Sequence, residues 1–432
     1  MGSTELTLAI LSAALAAAGV WIALRQLQAS DSDLARLARY RTAMALSREH
    51  YLDLTDAALE FHAKQLTRSG ALSAAASSRE LGLIALPEWI PTAPVPLESS
   101  RIALRYVQAT PPRGPAFDHI LPRLRTSGNS LSATMQAEAA ERHKLLFDNP
   151  TYFLAAANKV GHSLTFEFAL GSYFGFIDAN KALALEFATA ARVVPGGVEV
   201  KTSELVVRRA IGAPTELGNF PHYAAVSTVT IVHDPGVPGS ATFYILKRSQ
   251  NLAMSEGLTG VVPGGMLQPN SVHPAAAQGD LSLIRNIERE FGEELLGLDT
   301  HQQPGPRLVD YDAESPFREI DNMIQRGVAQ LALLGFGLDP LTHVAEFMTA
   351  FVVSKQDFED VFRPGFIDTG SEGMVPTADG WSGLPFPDGI ELVLAREPLG
   401  ACARACLVLA RRHATQLLQS ASPVVDGIAD GD

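Results

Sequence analysis

The densest chemistry in the chain lies in six consecutive residues, Arg289-Glu290-Phe291-Gly292-Glu293-Glu294. On a helix of 3.6 residues per turn, Glu290, Glu293 and Glu294 stand at i, i+3 and i+4, so they share one face. Like charges at that spacing repel unless something positive sits among them. A hard divalent cation answers that need: Mg²⁺, or Mn²⁺ in its place, takes oxygen ligands and keeps positions open for phosphate oxygens. The trio is therefore the expected metal set. Glu293 and Glu294 are the expected catalytic acids, with Arg289 bracing a carboxylate through its guanidinium fork. A solvated acidic face is the plainer reading of the same spacing. Upstream, Val262-Pro263-Gly264-Gly265 offers a bend where backbone amides can approach a phosphate, which makes Gly264 and Gly265 candidate ligand-binding positions. Arg248, with Lys247 beside it, ends an expected strand and is a candidate for neutralising that phosphate.

These residues need a scaffold. Ile284, Ile287, Phe291 and Leu295 form a separate apolar stripe that predicts a helix over 280–296, capped by Asp280 and closed by Gly297. Residues 225–233 are β-branched and read as a strand; a Pro-Gly turn and a return over 241–248 complete a hairpin. A strand over 347–353 and a helix over 399–418 follow. The preceding section mixes both element types: strands over 101–108 and 162–168, helices over 130–147 and 179–191. The Pro-dense stretch 86–96 must be extended. The Ser/Ala/Gly-rich stretch 69–78 reads as a linker. Residues 31–66 read as an amphipathic helix packed on its own domain in preference to a coiled-coil stalk.

The first segment sets a compartment. Residues 6–24, LTLAILSAALAAAGVWIAL, contain no charge and would reach about 28 Å as a helix, close to a bilayer's hydrocarbon thickness. Glu5 stands where a signal peptide would carry a basic residue, and Arg25, Arg36, Arg39 and Arg41 follow the run. This pattern predicts a single-pass anchor with the carboxy-terminal body in the cytoplasm. The expected organisation is an anchor over 1–28, a helical stalk and linker over 29–80, an α/β extension over 81–215, a main domain over 216–420 and a disordered tail over 421–432.

Composition bounds the function. With 432 residues, 47% of them hydrophobic, the chain is globular, and a net charge of −13 argues against direct nucleic-acid binding. Cys402 and Cys406 are its two cysteines, too few for a disulfide scaffold or a Cys-rich zinc site. No P-loop, Gly-x-Ser-x-Gly elbow or paired-histidine zinc motif is present. Self-association is allowed and not specified.

Taken together, the acidic core and the Pro-Gly-Gly bend resemble the Nudix superfamily, whose box is G-x5-E-x7-R-E-U-x-E-E-x-G-U. Arg289 to Glu294 match its R-E-U-x-E-E core, with an aromatic residue at U. The likeness departs at Ala275 and Leu281, where the box would have its glycine and first glutamate. If Gly265 is the box glycine, about ten residues are inserted, and Asp280 stands near the missing acid. Over 86–418 the segments LPEWIPTAPVPLES, LFDNPTY, FALGSYF, VVPGGMLQP and LGACARACLVLARRH look like a group of uncharacterised actinobacterial proteins with a Nudix-like half. The resemblance implies an α/β fold with a Nudix-type mixed sheet between helices in the carboxy-terminal half. It also implies Mg²⁺-dependent hydrolysis of a nucleoside diphosphate-linked substrate, or a catalytically reduced nucleotide-binding sensor or defence effector. In either case the partner is a small-molecule nucleotide. Glu314, Glu319 and Glu372 are then candidate bases from later loops, and Phe243 or Tyr244 a ring for a base.

Overall fold

Strand-forming residues run without a break from His222 to His233, and every one but Ser227 is buried. A strand covered on both faces belongs at the centre of a sheet. The computed structural model describes residues 38–112, 130–141, 146–248, 257–298, 307–362, 373–374 and 383–420. Six strands position the site: β1 (Pro150–Val160), β2 (Ser163–Ser172), β3 (His222–His233), β4 (Gly264–Met266), β5 (Ala329–Leu338) and β6 (Ala345–Ser354). Four helices flank them: α1 (Tyr51–Arg68), α2 (Ala182–Ala190), α3 (Leu283–Leu296) and α4 (Ala401–Arg412).

Among the described residues, β3 lies within a ten-stranded mixed sheet. β6 runs parallel to it from Ala345↔Ala224 to Ser354↔His233, and β5 pairs antiparallel with β6. On its other side β3 meets β1 at Phe153↔Tyr223 and β4 at Gly264↔Ser227, Gly265↔Val226 and Met266↔Ala225. β1 belongs to the expected extension and β3 to the expected main domain, so the sheet crosses the 215/216 boundary without a break.

Side-chain alternation sorts the two faces. Val226 and Phe347 share a buried cluster with Ile287, Phe291 and Leu295 of α3, and the Phe291 ring meets Phe351 edge-on at 5.1 Å. Val229 and Met348 point the other way, into a cluster with Ala405, Cys406 and Leu409 of α4. The chain is a mixed α/β protein with its large sheet between helices, as expected.

Several elements differ from the sequence-based expectation. Helix α3 starts at Leu283, because extended Ser282 caps it, accepting from the Arg285 N–H at 3.3 Å; Asp280 lies outside the helix. Gly297 ends the helix in the left-handed region, as expected. The expected linker 69–78 is largely a helix, Leu72–Leu81: its alanines favour that state, and Ser78 satisfies its hydroxyl on the Ala74 carbonyl at 2.7 Å. α1 buries Leu54, Ala58, Ala63 and Leu66 in the body of the protein, so residues 51–68 pack on their own domain. Among the described residues no helix is long and apolar enough to cross a membrane. The expected anchor over 6–24 and the tail over 421–432 lie outside the described residues.

Candidate functional site

The trio on α3 and the glycine bend of β4 meet at one cavity of about 390 Å³, lined by Glu290, Glu293, Glu294, Gly264 and Gly265 among others. α3 presents the carboxylates there because its apolar stripe is pinned to the sheet on the far side. Glu294 is buried and accepts from the Gly264 N–H at 3.1 Å. Glu290 occupies the space a side chain on Gly265 would fill: a β-carbon there would come within 2.1–2.3 Å of its carboxylate atoms. Glycine at 265 is therefore a steric requirement of the seat of Glu290. Glu293 is half-buried.

Arg289 is placed differently from the expectation. It is 1% exposed and is not among the residues lining the cavity. It donates to the Tyr311 hydroxyl at 2.6 Å, to the Asn286 side chain and to the Gln268 carbonyl. Asn286 in turn accepts from the Gln268 N–H at 3.1 Å. The guanidinium thus buckles α3 to the segment that leaves β4, which holds the carboxylates in register with the glycines. Arg248 ends the strand Ile245–Arg248, and its side chain lies outside what is described. Lys247 is exposed and pairs with Glu397 at 3.7 Å. Phe243 and Tyr244 are buried, the first against Phe386 and the second stacked on Phe358, so both are core rings. Glu314 accepts from the Asp310 N–H at 2.8 Å and Glu319 pairs with Arg318; Glu372 lies outside the described residues.

Sequence reasoning missed the rest of the wall. Glu346 of β6, Asp339 of the β5–β6 connection, Lys181, Tyr173 and Phe176 line the cavity, as do Met44, Arg48 and Tyr51. The last three come from the segment expected to be a stalk. A signal existed for Glu346, the lone Asp, Glu, Lys or Arg between Asp339 and Lys355, where burial needs a reason, and for Lys181, the one cation of the apolar stretch 173–191. Nothing local marks Met44 or Tyr51. Burial raises the Tyr173 phenol to about 12, and burial followed by the Asp339 charge raises that of Tyr51. Both phenols stay neutral and able to donate. Burial, then the neighbouring Glu346 charge, pushes the Cys402 thiol well above its ordinary range, so it is not a nucleophile.

Among the described residues, no group of three or more His, Cys, Asp or Glu is arranged to enclose a metal ion. The all-oxygen donor set nonetheless suits Mg²⁺, which keeps several waters and binds through one or two carboxylates plus phosphate. The fit is one of donor chemistry at an open wall.

No family model matches the sequence, and no curated protein matches it. Among solved structures it is similar to a NUDIX hydrolase from Alicyclobacillus acidocaldarius, at 17% identity and a TM-score of 0.28, over 46% of this chain and 97% of that one.

Proposed function

We propose that the chain is a Mg²⁺-dependent hydrolase of nucleoside diphosphate-linked substrates, tethered to a membrane through residues 6–24 with its body on the cytoplasmic side. The observation that carries the reading is that Glu290, Glu293 and Glu294 face the same cavity as Gly264 and Gly265. One or two of Glu290, Glu293 and Glu294 would hold the ion, the rest of its shell being water and phosphate. When bound, Mg²⁺ supplies positive charge to a phosphoryl oxygen and lowers the pKa of water. The chain's own residues do the remainder. Arg289 fixes the carboxylate helix, Tyr51 and Tyr173 offer neutral donors, and Met44, Phe176 and Leu341 give an apolar wall for a flat ring.

Incubation of the full-length chain with a panel of nucleoside diphosphate conjugates and Mg²⁺ tests this. Turnover should fall by about a hundredfold or more in Glu293→Gln or Glu294→Gln; no turnover or binding with any conjugate overturns the reading. A second reading, a nucleotide sensor without turnover, is favoured by Asp280. That acid stands near the place of the box's first glutamate but is buried and accepts from the Asn270 N–H at 2.7 Å. It serves the inserted loop. Nucleotide binding without turnover supports this second reading.

A further inference from the structure

Cationic side chains reach the cavity from outside the carboxylate helix. Lys181 is 8% exposed and lines the same cavity as the trio. It closes a π-helical turn, Ile177–Lys181, that leads into α2. Lysines are almost never so buried without a purpose in charge pairing or binding, and π turns are found disproportionately at functional sites. This turn is fastened on two sides. Asp178 accepts from the backbone N–H and the hydroxyl of Ser132 at 2.8 and 3.0 Å. Asn180 donates to the Thr342 carbonyl at 2.9 Å, and Thr342 is itself part of the cavity wall. The ammonium is thus delivered by a braced piece of backbone. Exposed Arg48, on the helix 38–49, lines the cavity as well.

Charge decides what such a cation is for. The cavity wall carries Glu290, Glu293, Glu294, Glu346 and Asp339, more negative charge than one divalent ion offsets even before a diphosphate adds its own, and in a partly desolvated cavity the surplus needs fixed positive partners. We propose that Lys181, with Arg48 beside the solvent, is the anion-binding arm of this cavity and takes a phosphoryl oxygen of a diphosphate whose other oxygens face the carboxylate trio. The inference rests on the diphosphate reading above and extends it: the 81–215 section is part of the ligand site.

Titration calorimetry of the full-length chain with inorganic pyrophosphate and Mg²⁺, beside Mn²⁺ binding followed by electron paramagnetic resonance, tests the arm. Lys181→Met should weaken pyrophosphate at least tenfold and leave Mn²⁺ affinity within twofold. Lys181→Arg should restore most of the loss, and Glu293→Gln should weaken both ligands. Lys181→Gln serves as the second variant if the methionine chain does not fold. Unchanged pyrophosphate affinity in these variants, with or without a lower melting temperature, overturns the arm and leaves Lys181 a structural counter-ion. Wild-type chain that binds Mn²⁺ but no pyrophosphate also overturns it. Wild-type chain that binds neither overturns the diphosphate reading itself.

Discussion

Glu290 sits where Gly265 has no side chain: a β-carbon at 265 would stand 2.1 Å from Glu290 Oε1. Two segments far apart in function meet there, a carboxylate on α3 and the backbone of a short strand pairing with the sheet's central strand. Gly264 completes the contact through its N–H to Glu294. The bend and the acids therefore form one unit, and the position of the carboxylates depends on a glycine they do not neighbour in sequence.

Gly265→Ala should accordingly act on the site more than on the fold. The methyl group must push Glu290 aside, a clash of the overpacking kind that costs about 1–3 kcal/mol. Mn²⁺ affinity should fall by tenfold or more, read by paramagnetic resonance, while the far-ultraviolet dichroism stays native. Retained Mn²⁺ affinity would show that Glu290 is not needed where the structure seats it.

Glu288 gives a pH-dependent prediction. It is 0% exposed on α3, and burial, with the nearby Asp321 charge second, pushes its carboxyl from an ordinary 4.5 up to about 9. The folded state holds the proton that the unfolded state releases above 4.5. The contribution to stability is thus complete below pH 4.5, declines as pH rises and is gone above about 9. Glu288→Gln keeps the volume and removes the titration. Its melting temperature should exceed wild type at pH 8 by about 2 °C or more, and the gap should close at pH 5. A gap that is constant with pH would refute the assignment.

Deleting the amino-terminal helices should destroy the body. Tyr40, Ala43, Leu54, Ala58, Ala63 and Leu66 are all buried, and burying one large apolar side chain contributes about 1.5–3 kcal/mol. Their joint loss rivals a typical total stability of about 5–15 kcal/mol. A chain starting at residue 38 should melt cooperatively. One starting at residue 81 should bind a hydrophobic dye at room temperature and show no cooperative transition.

What could be read beforehand follows from the range over which each signal acts. α3 was legible because its stripe, its acids and Gly297 all lie within five turns of one helix. The β3 hairpin was legible in part from β-branched residues and a Pro-Gly turn: Thr242 and Phe243 return along β3, but Ile245–Arg248, expected to continue the return, pairs with Thr259–Val261 in a separate three-stranded sheet. β5, AQLALLGFGL, was not, since from Leu331 to Leu338 it is an apolar run with no period to separate strand from helix. Residues 69–78 misled because serine and alanine together suit a linker or a helix, and tertiary contact at Ser78 decides between them. In the cavity, the carboxylates announced themselves by spacing. Tyr51 and Met44 could not, because only the tertiary fold brings residues 44–51 to the cavity that Glu290, Glu293 and Glu294 line.

The last prediction concerns the fully buried Arg208 behind the Asp339–Thr342 wall. It donates to the Pro340 carbonyl at 2.7 Å, to the Leu341 carbonyl, and contacts His62 Nε2 at 2.9 Å and His343 Nε2 at 3.2 Å. Glu186 and Asp339 supply the facing negative charge. Arg208→Met removes the cation and strands those carboxylates and carbonyls, a loss of about 3–5 kcal/mol. The urea midpoint at pH 7 should drop accordingly. Acid adds a second readout. Burial, and then the Arg208 charge, holds His62 down at about 3, and burial holds His222 down at about 4. Their contribution is therefore present above pH 6.5 and lost as pH falls toward 3–4. Without Arg208, His62 titrates closer to its ordinary value, so the variant should lose less stability than wild type between pH 6.5 and 4. An equally steep acid loss in the variant would mean that burial alone sets the His62 shift.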